Sequence, residues 1–215
     1  MKKIILIFGG ILFLTITLKA QEVINPNRIS IGPRLGFSNS TFAMDDFNTK
    51  PRLTPTLGLM FLYSRQETFG IGADLMYTPM GANIQIPSNG HTTELSTQLH
   101  YLHLPVQAFY FFNLGQNFHP KVGIGPYVSL LLNSSEKFQG NNVQTAREFE
   151  TWDYGLIGTL GFNYLLTSRF WLNTDFRYAH GFANVNSSNV NGTTIKNRNI
   201  SATVGIGFSL GRFME

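Results

Sequence analysis

Apolar side chains recur at every second position in eight separate stretches of this chain, with small or polar residues between them. The last stretch is the clearest. Over 200–210, Ile200, Ala202, Val204, Ile206, Phe208 and Leu210 alternate with Ser201, Thr203, Gly205, Gly207 and Ser209. Successive strand side chains point to opposite faces, so a period of two sets an apolar face against a small, polar one. A helix, with its period of 3.6, would scatter the same residues. The same split predicts strands over about 28–38, 53–64, 69–78, 99–112, 118–132, 151–164 and 169–179. Pro105 and Pro126 lack the amide donor of a central strand, so a bulge or a local break in the ladder is expected near each.

The connections between these strands alternate in length. Residues 39–51, 79–98, 133–150 and 180–198 form long polar links, while 65–68, 113–117 and 165–168 are short. Bacterial outer-membrane barrels have short periplasmic turns and longer external loops. The predicted fold is therefore all-β, an eight-stranded antiparallel up-and-down transmembrane β-barrel, with solvated loops outside and both termini in the periplasm of a Gram-negative cell. Aromatics gather at both strand ends, as interfacial belts require. Tyr63, Phe69, Tyr110, Phe112, Phe118, Phe162, Tyr164 and Phe170 flank the short turns; Phe37, Tyr77, Tyr101, Trp152, Tyr154 and Tyr178 lie toward the long loops.

A water-soluble barrel also alternates, and composition decides between the two. Only 13% of the residues are charged, against about 25% in soluble domains. Too little charge remains to clothe a water-facing wall, so the apolar face meets lipid. Residues 1–20 read as a cleavable signal peptide: Lys2 and Lys3, an apolar run from Ile4 to Leu18, then Lys19-Ala20. That run is shorter than the roughly 20 residues of a spanning helix. Residues 21–215 then form one outer-membrane β-barrel domain. Lys2, Lys3 and Lys19 supply three of the four units of net positive charge, so the remainder is near neutral and carries no basic cluster for nucleic acid. The chain has no Cys, which excludes disulfides, thiolate metal sites and a lipid-modified N-terminal Cys.

By parity, six charged residues face the lumen: Arg34, Asp74, Lys121, Asp153, Asp175 and Arg177, three of each sign. An eight-stranded barrel is just wide enough to be filled by side chains. The six are expected to form a neutralising network that plugs it; the sharper alternative is a proton or ion relay. None of His91, His100, His103, His119 and His180 has a metal-ligand spacing, so no metal and no cofactor is expected. His103 should face the lumen beside Gln107. His180 raises the possibility of lipid deacylation at the membrane edge, but Gly181-Phe182-Ala183-Asn184 follows with no Ser in place, and Ser187 and Ser188 fall in a loop. A nucleophile needs a base held within hydrogen-bond reach, so no catalytic residue is assigned. Gly123-x-Gly125 and Gly205-x-Gly207 precede no helix and so are not phosphate loops. They should leave lumen space for Trp171 or Tyr127.

Four segments carry a family resemblance: Tyr101-Leu102-His103-Leu104-Pro105-Val106, Val122-Gly123-Ile124-Gly125-Pro126-Tyr127, Asp153-Tyr154-Gly155-Leu156, and Arg177-Tyr178-Ala179-His180-Gly181-Phe182 followed by Asn184. In these the chain resembles the PorT-like outer-membrane β-barrel proteins, whose pattern has an acidic residue where His103 stands. The resemblance implies the barrel and its location, and as an alternative role an accessory part of a type IX-like secretion or envelope transport assembly. The leading expectation is a non-enzymatic barrel with a closed lumen. It contacts outer-membrane lipids and, through its external loops, an envelope protein or surface glycan. A lipid-modifying enzyme and a small-solute pore are the remaining alternatives.

Overall fold

A computed structural model of the chain describes residues 29–43, 49–64, 68–88, 91–112, 117–138, 141–143, 149–167, 169–187 and 194–210. The expected signal segment 1–20 lies outside them, as does Ser188. Nine strands are present: β1 (Ile29–Ala43), β2 (Thr49–Tyr63), β3 (Phe69–Ser88), β4 (His91–Phe111), β5 (Phe118–Phe138), β6 (Asn141–Val143), β7 (Trp152–Thr167), β8 (Phe170–Gly181) and β9 (Lys196–Ser209). Eight of them close into an antiparallel barrel in the order β1-β2-β3-β4-β5-β7-β8-β9, and pairing of β1 with β9 seals the ring. The short β6 stands outside it, paired to the end of β5 through Glu136–Phe138. No described residue is helical. A closed sheet remains the way to pair every backbone amide in hydrocarbon, because an open edge would leave a row of them unmet.

The alternating pattern becomes the two faces of the wall. Leu35, Phe37, Leu57, Ile71, Ile124, Leu160, Phe176 and Ile206 point outward and are exposed, while Arg34, Thr56, Asp74, Lys121, Asp175 and Thr203 point inward and are buried. The outward runs match the roughly 9–11 residues with which a tilted strand crosses a bilayer. Near the short turns the outward aromatics touch one another: Phe69–Tyr110 ring centroids are 5.1 Å apart, Phe118–Phe162 5.3 Å and Phe170–Phe208 5.4 Å.

The strands outrun the expected boundaries on the loop side. Residues 79–98, expected as a polar loop, are instead a paired extension of β3 and β4, from Pro79↔His100 to Ser88↔His91. The reason lies in the parity. Below Thr78 the apolar residues of β3 other than Met76 are outward (Phe69, Ile71, Leu75, Tyr77); above it they are inward (Met80, Ala82, Ile84). Alternation therefore continues with its polarity reversed, which looks like an ending to a search for one apolar face. Met80, Ala82, Phe42, Leu99, Tyr101, Val185 and Ile195 form a single buried cluster, with Leu131 and Phe149 packed against it. Tyr101, expected in the outer aromatic belt, is 0% exposed inside this cluster. A bulge helps: β5 pairs Asn133 with His100 and then Leu131 with Tyr101, skipping Leu132. Leu131 thus packs inside while Leu132 is exposed.

The connection after β8 is also less polar in its placement than in its composition. Val185 N donates to Ile195 O at 2.9 Å and Glu150 N donates to Val185 O at 2.9 Å, which tucks Val185 into the barrel mouth. At Pro105 the ladder breaks without a change of register. Pairing passes from Ala73↔Val106 to Met76↔His103 on one side and from Pro105↔Tyr127 to Ala108↔Ile124 on the other. Pro126 lies opposite Val106 inside the second of these gaps, so the β4–β5 break falls at it as expected, while its pairing with β7, opposite Leu156, is unbroken.

Two neighbouring positions test the two faces. Ile206→Arg places a charge on the lipid side and is expected to destabilise the barrel by about 2–4 kcal/mol. Gly205→Ala acts inside instead, where a Cβ would lie 2.9 Å from Pro33 O and 3.0 Å from Met60 Sδ. Urea unfolding in vesicles of thinner and thicker lipid separates the mechanisms: only the Arg penalty should vary with bilayer thickness.

Candidate functional site: the filled interior of the barrel

Inward parity brings Arg34 (β1), Asp74 (β3), Lys121 (β5), Asp175 and Arg177 (β8) to one level, all buried. Asp175 is their hub. Its Oδ2 accepts from Arg34 Nη1 at 2.6 Å and Arg177 Nη2 at 2.8 Å, and Lys121 Nζ lies 2.8 Å from its Oδ1. Asp74 Oδ2 accepts from Arg177 Nη1 at 2.6 Å and lies 3.5 Å from Arg34 Nη1. Asn173 and Asn163 extend the network: Arg34 Nη2 donates to Asn173 Oδ1 at 2.6 Å, and Asn173 Nδ2 to Asn163 Oδ1 at 2.7 Å. Five strands' worth of hydrogen-bonding groups are thereby locked across the lumen. Buried charges are tolerable only when paired in this way.

Asp153, expected in the same network, stands apart. It is 0% exposed, and its Oδ2 accepts from Asn197 Nδ2 at 2.8 Å and Tyr127 OH at 3.3 Å. Its position near the start of β7 places it toward the long loops, whereas Asp175 lies several residues closer to the short turns. Parity predicts a face but not a depth, and depth separates these two carboxylates.

Aromatic and neutral polar groups fill the space around the charges. On the short-turn side, Phe109 lies 4.8 Å beneath Lys121 Nζ, measured to the ring centroid. It fits because Gly123 and Gly72 face it; a Cβ at those positions would come within 2.4 Å and 2.7 Å of its ring. Of the expected neighbours of the Gly-x-Gly pairs, Trp171 stands beside Gly207, its register partner, and Tyr127 sits against other glycines. Gly123 serves Phe109, Gly125 abuts the Val106 carbonyl, and Gly205 and Gly207 face Met60, while Tyr127 is accommodated by Gly155 and Gly181. His119 and Trp171 meet at 5.7 Å between ring centroids.

On the other side of the charges, Gln107 Nε2 donates to Thr159 Oγ1 at 2.8 Å. His103 does not pair with Gln107; its Nδ1 shares a 2.8 Å hydrogen bond with Ser129 Oγ, and its ring lies 4.8 Å from that of Tyr127. Above these comes the apolar cluster around Tyr101 and Val185. Tyr101, His103, Tyr127, Asp153 and Gly181, one or more from each of the four segments of the family resemblance, thus line one stretch of the interior.

The remaining candidate groups lie elsewhere. His100 pairs with Tyr77 OH at 2.5 Å, with both side chains at the outer wall. His180 packs beside Tyr178 and Phe182 at the outer wall, with its Nδ1 3.4 Å from Tyr178 OH and no Ser or carboxylate among the described residues in hydrogen-bond contact with it. Ser187 is exposed. Among the described residues there is no group of three or more His, Asp and Glu that could hold a metal ion.

A family profile described as "Outer membrane protein beta-barrel domain" matches residues 19–187. Among solved structures, the outer membrane protein OprG from Pseudomonas aeruginosa aligns with 87% of this chain and 98% of its own, with a TM-score of 0.53 and 17% identity. Neisserial surface protein A aligns with 84% of this chain and 96% of its own, with a TM-score of 0.52 and 13% identity. At such identities the likeness is one of fold. A search of curated proteins found no match.

The geometry ranks the two carboxylates. Asp175→Asn removes the anion shared by three buried cations and should cost about 3–5 kcal/mol, the range for breaking a buried ion pair from one side. Asp153→Asn keeps an acceptor beside Asn197 and Tyr127 and breaks no ion pair, so its cost should be clearly smaller. Urea titration of both variants in lipid vesicles checks the order.

Proposed function

Because this chain belongs to the outer membrane protein beta-barrel domain family, we propose that it is a sealed, non-catalytic barrel that works through the hairpins standing above the lipid. One observation carries this reading: side chains fill every level of the interior around a small cavity, with Phe109 and the Asp175 ion cluster, then the His103–Ser129 and Asp153–Asn197 pairs, then the apolar cluster of Leu99, Tyr101 and Val185. Such an interior leaves no wet path for solutes. It also isolates the charged groups, so they act as a brace and not as a relay.

The extended β3–β4 hairpin and the β5–β6 flap are the surfaces left for recognition of an envelope protein or a surface glycan. Both termini lie in the periplasm on this reading, because β1 begins and β9 ends on the short-turn side. The second reading is an accessory part of a secretion or transport assembly. It rests on the PorT-like resemblance, whose motif residues gather in one interior region and so support a shared barrel architecture before they support a shared task.

Purified barrel in planar bilayers should give no stable conductance; steady channels would remove the sealed reading. Ser88→Cys, in a chain with no other Cys, should be labelled on intact cells by an impermeant maleimide. A C-terminal tag should stay protected until the outer membrane is breached. Photo-crosslinking from the β3–β4 hairpin should recover one reproducible partner. Recovery of secretion machinery favours the second reading, and no crosslinked species at all counts against recognition by these hairpins.

A further inference from the structure

We propose that the barrel interior holds one small monovalent anion, a halide, in the cavity beside Arg177. The charge balance motivates it. Arg34, Lys121 and Arg177 are bound to only two carboxylates, Asp74 and Asp175, which leaves one positive charge over. Asp153 does not make up the difference, because its contacts are to Asn197 and Tyr127 and to none of these cations. A surplus charge in a low-dielectric interior is strongly unfavourable unless something of opposite sign lies close by.

A cavity adjoins the cluster, bordered by Arg177, His103, Thr78, Asn199, Ser201 and Thr203, with room for about one water-sized particle. No carboxylate borders it. Its polar groups have donors to spare. Asn199 Oδ1 already accepts from Ser38 Oγ at 2.7 Å, which frees the Asn199 amide hydrogens. Thr203 Oγ1 accepts from Arg34 Nη1 at 3.4 Å, which leaves its hydroxyl proton. Arg177 Nε has no acceptor among the described residues. A water would find acceptors as well as donors among the Thr78, Ser201 and Thr203 hydroxyls but would bring no charge. A halide accepts from every donor and cancels the surplus.

The test uses barrel extracted from membranes and unfolded and refolded in sodium gluconate, chloride or bromide at equal ionic strength. Ligand that binds only the folded state raises its stability, so the unfolding midpoint should rise by several degrees from gluconate to either halide. Crystals grown in bromide should show one anomalous peak beside Arg177. Lys121→Met leaves two cations against two carboxylates without touching the cavity lining, and it should abolish the halide effect. Thr203→Val removes a donor at constant charge and should raise the bromide concentration needed for half the shift. Equal midpoints in all three salts, a cavity holding water without anomalous signal, or an undiminished halide effect in Lys121→Met would each overturn the proposal.

Discussion

Hydrocarbon offers a backbone amide nothing to bond with, and the rest of this molecule follows from that constraint. The β1–β9 seam, running from Ser30↔Ser209 to Ala43↔Lys196, is where the first and last strands discharge the requirement for each other. Once eight strands close, the width of the interior is set, and it is only wide enough for side chains. Polar groups placed there must then satisfy one another. Asp175 does so for three cations from three strands.

The wall joins two cores of opposite polarity. In the lower part, lipid covers Leu57, Ile71 and Ile206 while charges are held inside; in the upper part, Met80, Leu99, Tyr101 and Ile195 are inside, as in a barrel bathed in water. The strands run through the change without interruption. On β3 the switch falls at Thr78, between the outward Tyr77 and the inward Met80, and on β5 the skipped residue Leu132 takes up the adjustment. The boundary between bilayer and water is thus written into the wall as a reversal of parity.

Much of this is legible in the amino-acid sequence alone. Period-two alternation locates all eight barrel strands and assigns the lumen side of Arg34, Asp74, Lys121, Asp175 and Arg177, because side-chain direction in a strand is a local property. Depth is not local. Whether Asp153 meets Lys121 or Asn197 depends on the stagger between strands, which turns and bulges such as the one at Leu132 determine. The upper strand segments were hidden for a related reason. Gln85, Asn83 and the Thr-rich start of β4 look like loop by composition, and only the inward Met80, Ala82 and Ile84 betray a strand. The interior position of Phe109 follows from parity alone, yet its fit over Gly72 and Gly123 needs the three-dimensional register.

The pairing of Pro79 through Ser88 with His91 through His100 has a mechanical consequence. At about 3.3 Å per residue, ten strand residues reach roughly 30 Å, enough to lift the tip of this ribbon clear of the lipid headgroups. Its amides are already bonded across the hairpin, so a molecule that docks there need not freeze a floppy segment first. Contact at such a ribbon therefore carries a smaller entropic penalty than contact at an unstructured loop of the same length.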